Sequence, residues 1–355
     1  MLLWRCASVY KLEVFTDQMQ FASAAVISAP EISLDYLTYD AYSLTVPTME
    51  CKKGWYTHIS NDGDTVADGV VSDVQPGKGV VDISIRPLQA IFDVQVFPSP
   101  ITDAAAWLAE QITAQFVSNA DTLQNRPIHI ESAVRSNYPL EMGEGDTIGL
   151  IDVMAQALTT YGIYVDAKLD FDGEQIAVQI LPPPAAVTLE ADLDNVLERS
   201  ITLGDSYGSA NKMIIRKRVT DSETDAVSYP MQAVFYLHPN GSVDTNNADR
   251  ISPVFWAIAT LPDSETWDAD ALEQATQTLA PQQYDNEIIL KFALGDKLVE
   301  PESIQPGTPV TIYTGGLPYN SILTGRAFSA GTIELTFGAV RVALTKQLIL
   351  QRRQA

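Results

Sequence analysis

The stretches VVSDVQPGKGVVDISI, residues 70–85, and ILTGRAFSAGTIELTF, residues 322–337, resemble each other without a gap at a spacing of 252 positions. Gly79 and Gly331 coincide, and in the strand that follows acid matches acid and hydroxyl matches hydroxyl, with apolar residues at every second position. Alternation with a period of two around a turn predicts a β-hairpin with one buried face. Two such hairpins indicate a duplicated β-domain, although any two amphipathic hairpins share this alternation.

The order of the predicted elements divides the chain into two β-units and two insertions. We extend the repeat to residues 70–93 and 322–345, because apolar residues close both copies. A helix that Thr102 or Asp103 can cap follows the first β-unit. The predicted fold class is α+β, mainly β, with two similar β-units that carry α+β insertions. The predicted domains are a first β-unit at 1–98, an α+β insertion at 99–184, a second β-unit at 185–238 and 286–355, and an insertion with a helix at 239–285.

Composition excludes several classes of protein. The chain has 355 residues, 46% of them hydrophobic, and no apolar run approaches the roughly 20 residues that cross a bilayer, so we predict no integral membrane segment. Two cysteines, Cys6 and Cys51, are too few for a disulfide framework. They are either buried free thiols or one bridge.

The net charge of −23 argues against stable binding of nucleic acid, which requires clustered Lys and Arg at the phosphates. The basic residues that do cluster are either a solvated face and tail or contacts with an acidic neighbouring subunit. They are Lys212, Arg216, Lys217 and Arg218 on one strand, and Arg341, Lys346, Arg352 and Arg353 near the end.

Residues able to carry chemistry are scattered. His58, His129 and His238 stand alone, without the paired spacing of a zinc site, and nucleophile-elbow, P-loop and dinucleotide motifs are missing. We therefore predict no catalytic, cofactor-binding or metal residues, and no enzyme. Three further candidate sites have simpler explanations. A hairpin turn explains the possible carboxylate pair among Asp170, Asp172 and Glu174. A polar loop without the spacing of a calcium site explains Asn61, Asp62, Asp64 and Asp68. Packing explains the aromatic residues Tyr36, Tyr39 and Tyr42.

Three segments of the second β-unit resemble the end of the phage tail baseplate-hub family. They are PGTPVTIY at 306–313, SILTG at 321–325 and FGAVRVALTK at 337–346. The order of a β-unit, an α+β insertion and a second β-unit with its own insertion is similar over nearly the whole chain. The resemblance implies that the two β-units are two similar β-barrel domains. The resemblance includes the hub of contractile tails and the N-terminal part of tail-associated proteins of long-tailed phages.

The resemblance implies a structural hub in the tail tip of a virion or prophage, made in the host cytoplasm. Three chains would form a homotrimeric ring that joins the six-fold tail tube to a three-fold spike or fibre, and a tape-measure protein is a further possible partner. Because the chain ends at Ala355, we expect a bare hub without its own hydrolase. The alternatives are a tail-associated cell-wall hydrolase or peptidase, and a module that binds a host receptor.

Overall fold

The computed structural model describes residues 10–97, 99–133, 138–140, 147–203, 210–238, 241–248, 250 and 254–339. The fold is α+β and mainly β, with two curled, half-barrel sheets, as the alternating strands predict. The described residues contain no helix that is both long and apolar enough to cross a bilayer. Short helical turns join the main elements at Leu88–Phe92, Thr113–Val117, Ala280–Tyr284 and Pro301–Ser303.

The first curled sheet comes from the N-terminal third of the chain. The strands of this third are β1 (Tyr10–Phe15), β2 (Phe21–Ile27), β3 (Ile32–Asp35), β4 (Tyr42–Pro47), β5 (Tyr56–Asn61), β6 (Asp64–Pro76) and β7 (Val80–Pro87), and all except β3 belong to this sheet. In the described residues the order is β2-β1-β5-β6-β7-β4, and neighbours are antiparallel. Alternate side chains such as Leu12, Ile59 and Ile83 enter the core because strand residues point to opposite faces in turn.

The first insertion shares its core with the first sheet. It contains β8 (Gln95–Val96), α1 (Ala104–Ile112), β9 (Ile128–Ala133), β10 (Ile148–Gly149), α2 (Leu150–Tyr161), β11 (Tyr164–Asp170) and β12 (Gln175–Leu181). Asp103, one of the two expected caps, accepts hydrogen bonds from the first-turn amides of α1 at 3.1 Å. Gly162 ends α2 in the left-handed region at φ +70°. Apolar residues of both units form one continuous cluster.

The second half of the chain forms another curled sheet and a separate two-layer unit. Its elements are β13 (Val187–Glu190), β14 (Val196–Leu203), β15 (Lys212–Thr220), β16 (Val227–Leu237), β17 (Val243–Asp244), β18 (Trp256–Pro262), α3 (Trp267–Leu279), β19 (Asn286–Ala293), β20 (Pro309–Thr314), β21 (Leu317–Ser329) and β22 (Thr332–Phe337). The described part of the second curled sheet has the order β13-β20-β21-β22-β19-β14. Strand β3, from the N-terminal third, joins this sheet beside β21.

The sheet topology corrects the predicted start of the second insertion. Strands β15 and β16 pair with β17 and β18 in a sheet of their own, and α3 covers that sheet. The insertion therefore begins between Leu203 and Lys212, rather than at residue 239. The prediction was wrong because an alternating strand shows which side chains are buried and carries no information about which sheet it joins.

Candidate functional site

The two curled sheets contain one hairpin built twice, with the same register. Strands β6 and β7 pair across the first copy, and β21 and β22 pair across the second. Every pair in the first copy between residues 71 and 85 has its counterpart 252 positions later. The pairs are Val71–Ile85, Asp73–Ser84, Val74–Ile83, Gln75–Asp82 and Pro76–Val81 in the first copy, and Leu323–Phe337, Gly325–Thr336, Arg326–Leu335, Ala327–Glu334 and Phe328–Ile333 in the second.

Both copies also carry the same β-bulge. The pairing skips Ser72 in the first copy and Thr324 in the second. The Ser72 hydroxyl donates to the carbonyl of Ser84 at 3.0 Å, and the Thr324 hydroxyl lies 3.3 Å from the carbonyl of Thr336. Because a bulge bends and twists a strand locally, a shared bulge gives the two sheets the same bend at the same place. Amphipathic alternation alone would not produce this match.

The duplication extends beyond the part visible in the sequence. Gly54 and Gly307, at φ +85° and +80°, precede equivalent strands and donate their amides to Val71 and Leu323 at 2.8 and 2.9 Å. In the first sheet the spatial order β5-β6-β7-β4 matches β20-β21-β22-β19 in the second. Sequence reasoning missed the equivalence of these strands, because their sequences share little besides a glycine placed just before a strand.

The two copies differ at one edge. In the second copy β3 pairs with Gly325–Phe328 of β21. In the first copy the equivalent residues, Asp73–Pro76 of β6, pair with β7 on one side, and no strand of the described residues pairs on the other. Asp73, Gln75 and Pro76 are exposed, as expected for an open strand edge.

Solved structures share this whole architecture. A tail protein from Neisseria meningitidis MC58 matches with a TM-score of 0.50 and 15% identity, over 93% of this chain and 96% of that chain. A 43 kDa tail protein of prophage MuSo2 from Shewanella oneidensis matches with a TM-score of 0.50 and 13% identity, over 94% and 98%. The chain has the fold of prophage tail proteins.

A prophage tail protein from Listeria monocytogenes EGD-e has the same tail-protein fold, with a TM-score of 0.50 and 11% identity over 97% of this chain and 98% of that chain. The resemblance inferred from the sequence is therefore confirmed at the level of the fold. No family model matches the chain, and no curated protein matches it. The arrangement of the strands is therefore shared although most residues differ.

A cleft of about 560 Å³ lies where both curled sheets meet the first insertion. Tyr36, Tyr164 and Arg326 are among its lining residues, and Arg326 donates to the backbone carbonyl of Ile304. Burial raises the pKa of both tyrosines, although Arg326 opposes the shift. Asp166 at its rim is paired with Lys168 at 2.6 Å. Each of these two pairs lies within a single unit, whereas the rings of Tyr36 and Tyr164, with centres 5.4 Å apart, form a packing contact between the first β-unit and the first insertion.

The histidines do not come together. His58 is buried, and its Nδ1 lies 2.7 Å from Asp68, which also accepts the Leu169 amide at 2.9 Å. This pair ties the first sheet to β11 of the first insertion. His238 lies 3.0 Å from Asp244 in the second insertion, and His129 is exposed on β9.

The carboxylate candidates have local structural roles. Asp170 accepts hydrogen bonds from the Gly173 amide and the Gln175 amide group, which lower its pKa and close the turn that also holds Asp172 and Glu174. Asn61, Asp62 and Asp64 form the β5–β6 turn, and Asp68 points away from it to the histidine. Among the described residues, no three His, Cys, Asp or Glu side chains form a group that could hold a metal ion.

The tyrosines and the cysteine are packing residues. Tyr36, Tyr39 and Tyr42 are all buried, in agreement with their interpretation as packed aromatics. The chain leaves β3 before Tyr36, and Tyr39 adopts φ +52° in the turn before β4, so the three do not lie on one strand. Cys51 is half-buried, and burial raises its pKa to about 11. Cys6 lies outside the described residues.

The structure separates the first basic cluster into two faces of β15. Lys217 points toward α3, where its ammonium pairs with Asp263 at 2.6 Å and lies 5.8 Å from the Trp267 ring. Lys212 and Arg216 lie on the opposite face, because strand residues alternate. The second basic cluster, Arg341, Lys346, Arg352 and Arg353, lies outside the described residues.

Proposed function

We propose that this chain is a structural hub of a phage or prophage tail. The observation that carries the proposal is the register-matched duplication of the curled sheet within one chain. Three copies would present six similar units, which suits a ring that meets a six-fold tail tube on one side and a three-fold spike or fibre on the other. Closed rings arise when the same contact repeats around an axis. The fold shared with prophage tail proteins supports this role.

The open edge of β6 supports assembly with a neighbouring chain. Within the chain, β3 covers the equivalent edge of the second copy. A ring of similar units repeats its contacts, so a segment of the next chain would cover Asp73–Pro76. Unpaired strand edges are templates for pairing with another chain. The edge would be satisfied in the ring and open in the isolated chain.

The other assignments follow from this role. The partners would be further copies of the chain, the tail tube, the distal spike or fibre, and a tape-measure protein. The site of action would be the tail tip of the virion, after synthesis in the host cytoplasm. We infer no enzymatic activity and no stable binding of nucleic acid, and a channel wall that is neutral or acidic would let DNA slide past.

Sedimentation velocity of the purified full chain tests the proposal. A trimer would have three times the monomer mass of 38.7 kDa, and negative-stain images would show a three-lobed ring. Hydrogen exchange on the same sample would show slower exchange of the amides at residues 73–75 in the trimer than in dilute monomer, Pro76 having no amide hydrogen. A particle that remains monomeric at high micromolar concentration, alone and with its tail-tube partner, would overturn the proposal.

A further inference from the structure

In the part of the chain that the structure describes, the second insertion is a two-layer unit with one face of its sheet uncovered. Helix α3 packs on one face of the sheet formed by β15 to β18. Met213, Ile215 and Phe235 are buried under it, together with Trp267 and Ala271 of the helix. The residues that alternate with these point to the other face, which no element of the described residues covers.

This uncovered face combines exposed apolar residues with cations. Trp256 is 64% exposed and Ile258 is 62% exposed, on a strand that pairs with β15. Lys212 pairs with Trp256 and Ile214 pairs with Ile258, and Arg216 follows on the same face of β15, with its guanidinium 4.0 Å from the centre of the Tyr229 ring. We call this surface the basic sheet face. Its cationic, aromatic and aliphatic members are Lys212, Ile214, Arg216, Tyr229, Tyr236, Arg250, Trp256 and Ile258, and Asp244, which pairs across from Tyr236 and bonds to His238, is an acid at its edge.

The exposed side of α3 has the opposite charge. Asp268 and Glu273 are exposed there, Leu272 between them is 42% exposed, and Glu265 is exposed just before the helix. We call these four residues the acidic helix face. The helix buries its other side on the sheet. One unit therefore carries cations and apolar residues on its sheet face, and carboxylates and Leu272 on its helix face.

We propose that the basic sheet face binds the acidic helix face of a second copy of this chain. Exposed apolar residues would form the centre of the contact, and the charges would surround them, as in specific protein interfaces. Because the two faces are different surfaces of one chain, the contact is head-to-tail, and it closes into a ring when the rotation allows. This contact would be one of those that hold the proposed homotrimer together, and it therefore rests on the self-association in the proposed function.

The composition of the face favours an acidic protein surface over nucleic acid. Single-stranded nucleic acid binds by stacking its bases on open aromatic rings. Here Arg216 stacks on Tyr229, while Lys212 and Arg250 lie 5.7 and 5.2 Å from the centre of the Tyr236 ring. Cations therefore already occupy two of the aromatic rings. The net charge of −23 also makes the chain repel phosphates at long range, and it means that a second copy of the chain offers an acidic surface to this face.

Charge reversal tests this contact. The double variant Lys212→Glu/Arg216→Glu makes the sheet face acidic, and Glu265→Lys/Glu273→Lys makes the helix face basic. Sedimentation equilibrium in 0.15 M salt should show each double variant with a dissociation constant raised at least about tenfold, because like charges then face each other. The variant with all four changes should recover the affinity of the wild type, which damage to the fold could not explain. Lys52→Glu/Lys53→Glu matches the change in charge on exposed lysines elsewhere and should leave assembly unchanged.

The results separate this contact from the proposed ring. A trimer that forms equally well in all variants would overturn the contact and leave the hub proposal standing. A wild-type chain that never associates would overturn both. Binding of a fluorescent single-stranded oligonucleotide to the wild type, lost in Lys212→Glu/Arg216→Glu, would assign the face to nucleic acid and overturn the proposal.

Discussion

The duplication supplies a matched pair of glycines whose substitution should have unequal costs. Gly54 and Gly307 lie at equivalent places, at φ +85° and +80°, and make equivalent backbone hydrogen bonds. An alanine at either site meets the same penalty for a positive φ, about 1 kcal/mol. A Cβ at Gly54 would have no atom within 4 Å, whereas a Cβ at Gly307 would lie 2.7 Å from the carbonyl oxygen of Gly162 and 2.9 Å from Leu158.

We therefore expect Gly54→Ala to lower the free energy of unfolding by about 1 kcal/mol. Gly307→Ala should lower it by about 2–4 kcal/mol, because overpacking against the end of α2 adds about 1–3 kcal/mol. Urea titrations followed by tryptophan fluorescence measure both values, and hydrogen exchange of α2 shows whether the first insertion loosens. Equal decreases in the free energy of unfolding for the two variants would refute the inference that the close approach of the Gly162 carbonyl requires glycine at position 307.

Three further changes test other contacts. Asp68→Asn should cost about 1–3 kcal/mol, measured by urea unfolding, because it weakens a buried charge-assisted pair with His58, and an unchanged midpoint would contradict that role. Thr324→Val should lower the thermal unfolding midpoint more than Ser72→Ala, because only the threonine is fully buried. Equal decreases of the midpoint in the two variants would contradict the inference that burial makes the hydroxyl of Thr324 more important. Alkylation of Cys51 at pH 8 should be about 100-fold slower than alkylation of an ordinary thiol, because the raised pKa of Cys51 leaves little reactive thiolate at that pH. The alkylation rate should increase toward pH 11. A normal rate at pH 8 would contradict the burial of Cys51.

Local patterns predicted the hairpins well and their partners poorly. The alternation after Gly79 and Gly331 and the need for a positive φ at each turn depend on a few neighbouring residues. Those residues were therefore sufficient to predict the repeated hairpin from the sequence. The fold class followed from the same patterns together with the resemblance to tail hubs.

The candidate contact faces could be predicted only in part. The sequence showed the basic residues crowded on β15, but it could not separate Lys217 from Lys212 and Arg216 until the position of α3 was known. It also contained no sign that Trp256 and Ile258 join the same face, because β18 reaches β15 through a parallel pairing about 40 residues along the chain.

The sequence by itself determined the duplicated hairpin, the mainly β class and the lack of a recognisable catalytic motif, since each depends on composition or on short-range spacing. The tertiary structure alone decided that β3 completes the second sheet and that β15 and β16 leave it. It also decided that, among the residues the structure describes, no strand pairs with the outer edge of Asp73–Pro76. Strand partners are chosen by packing between distant segments, and alternation gives every amphipathic strand the same local appearance.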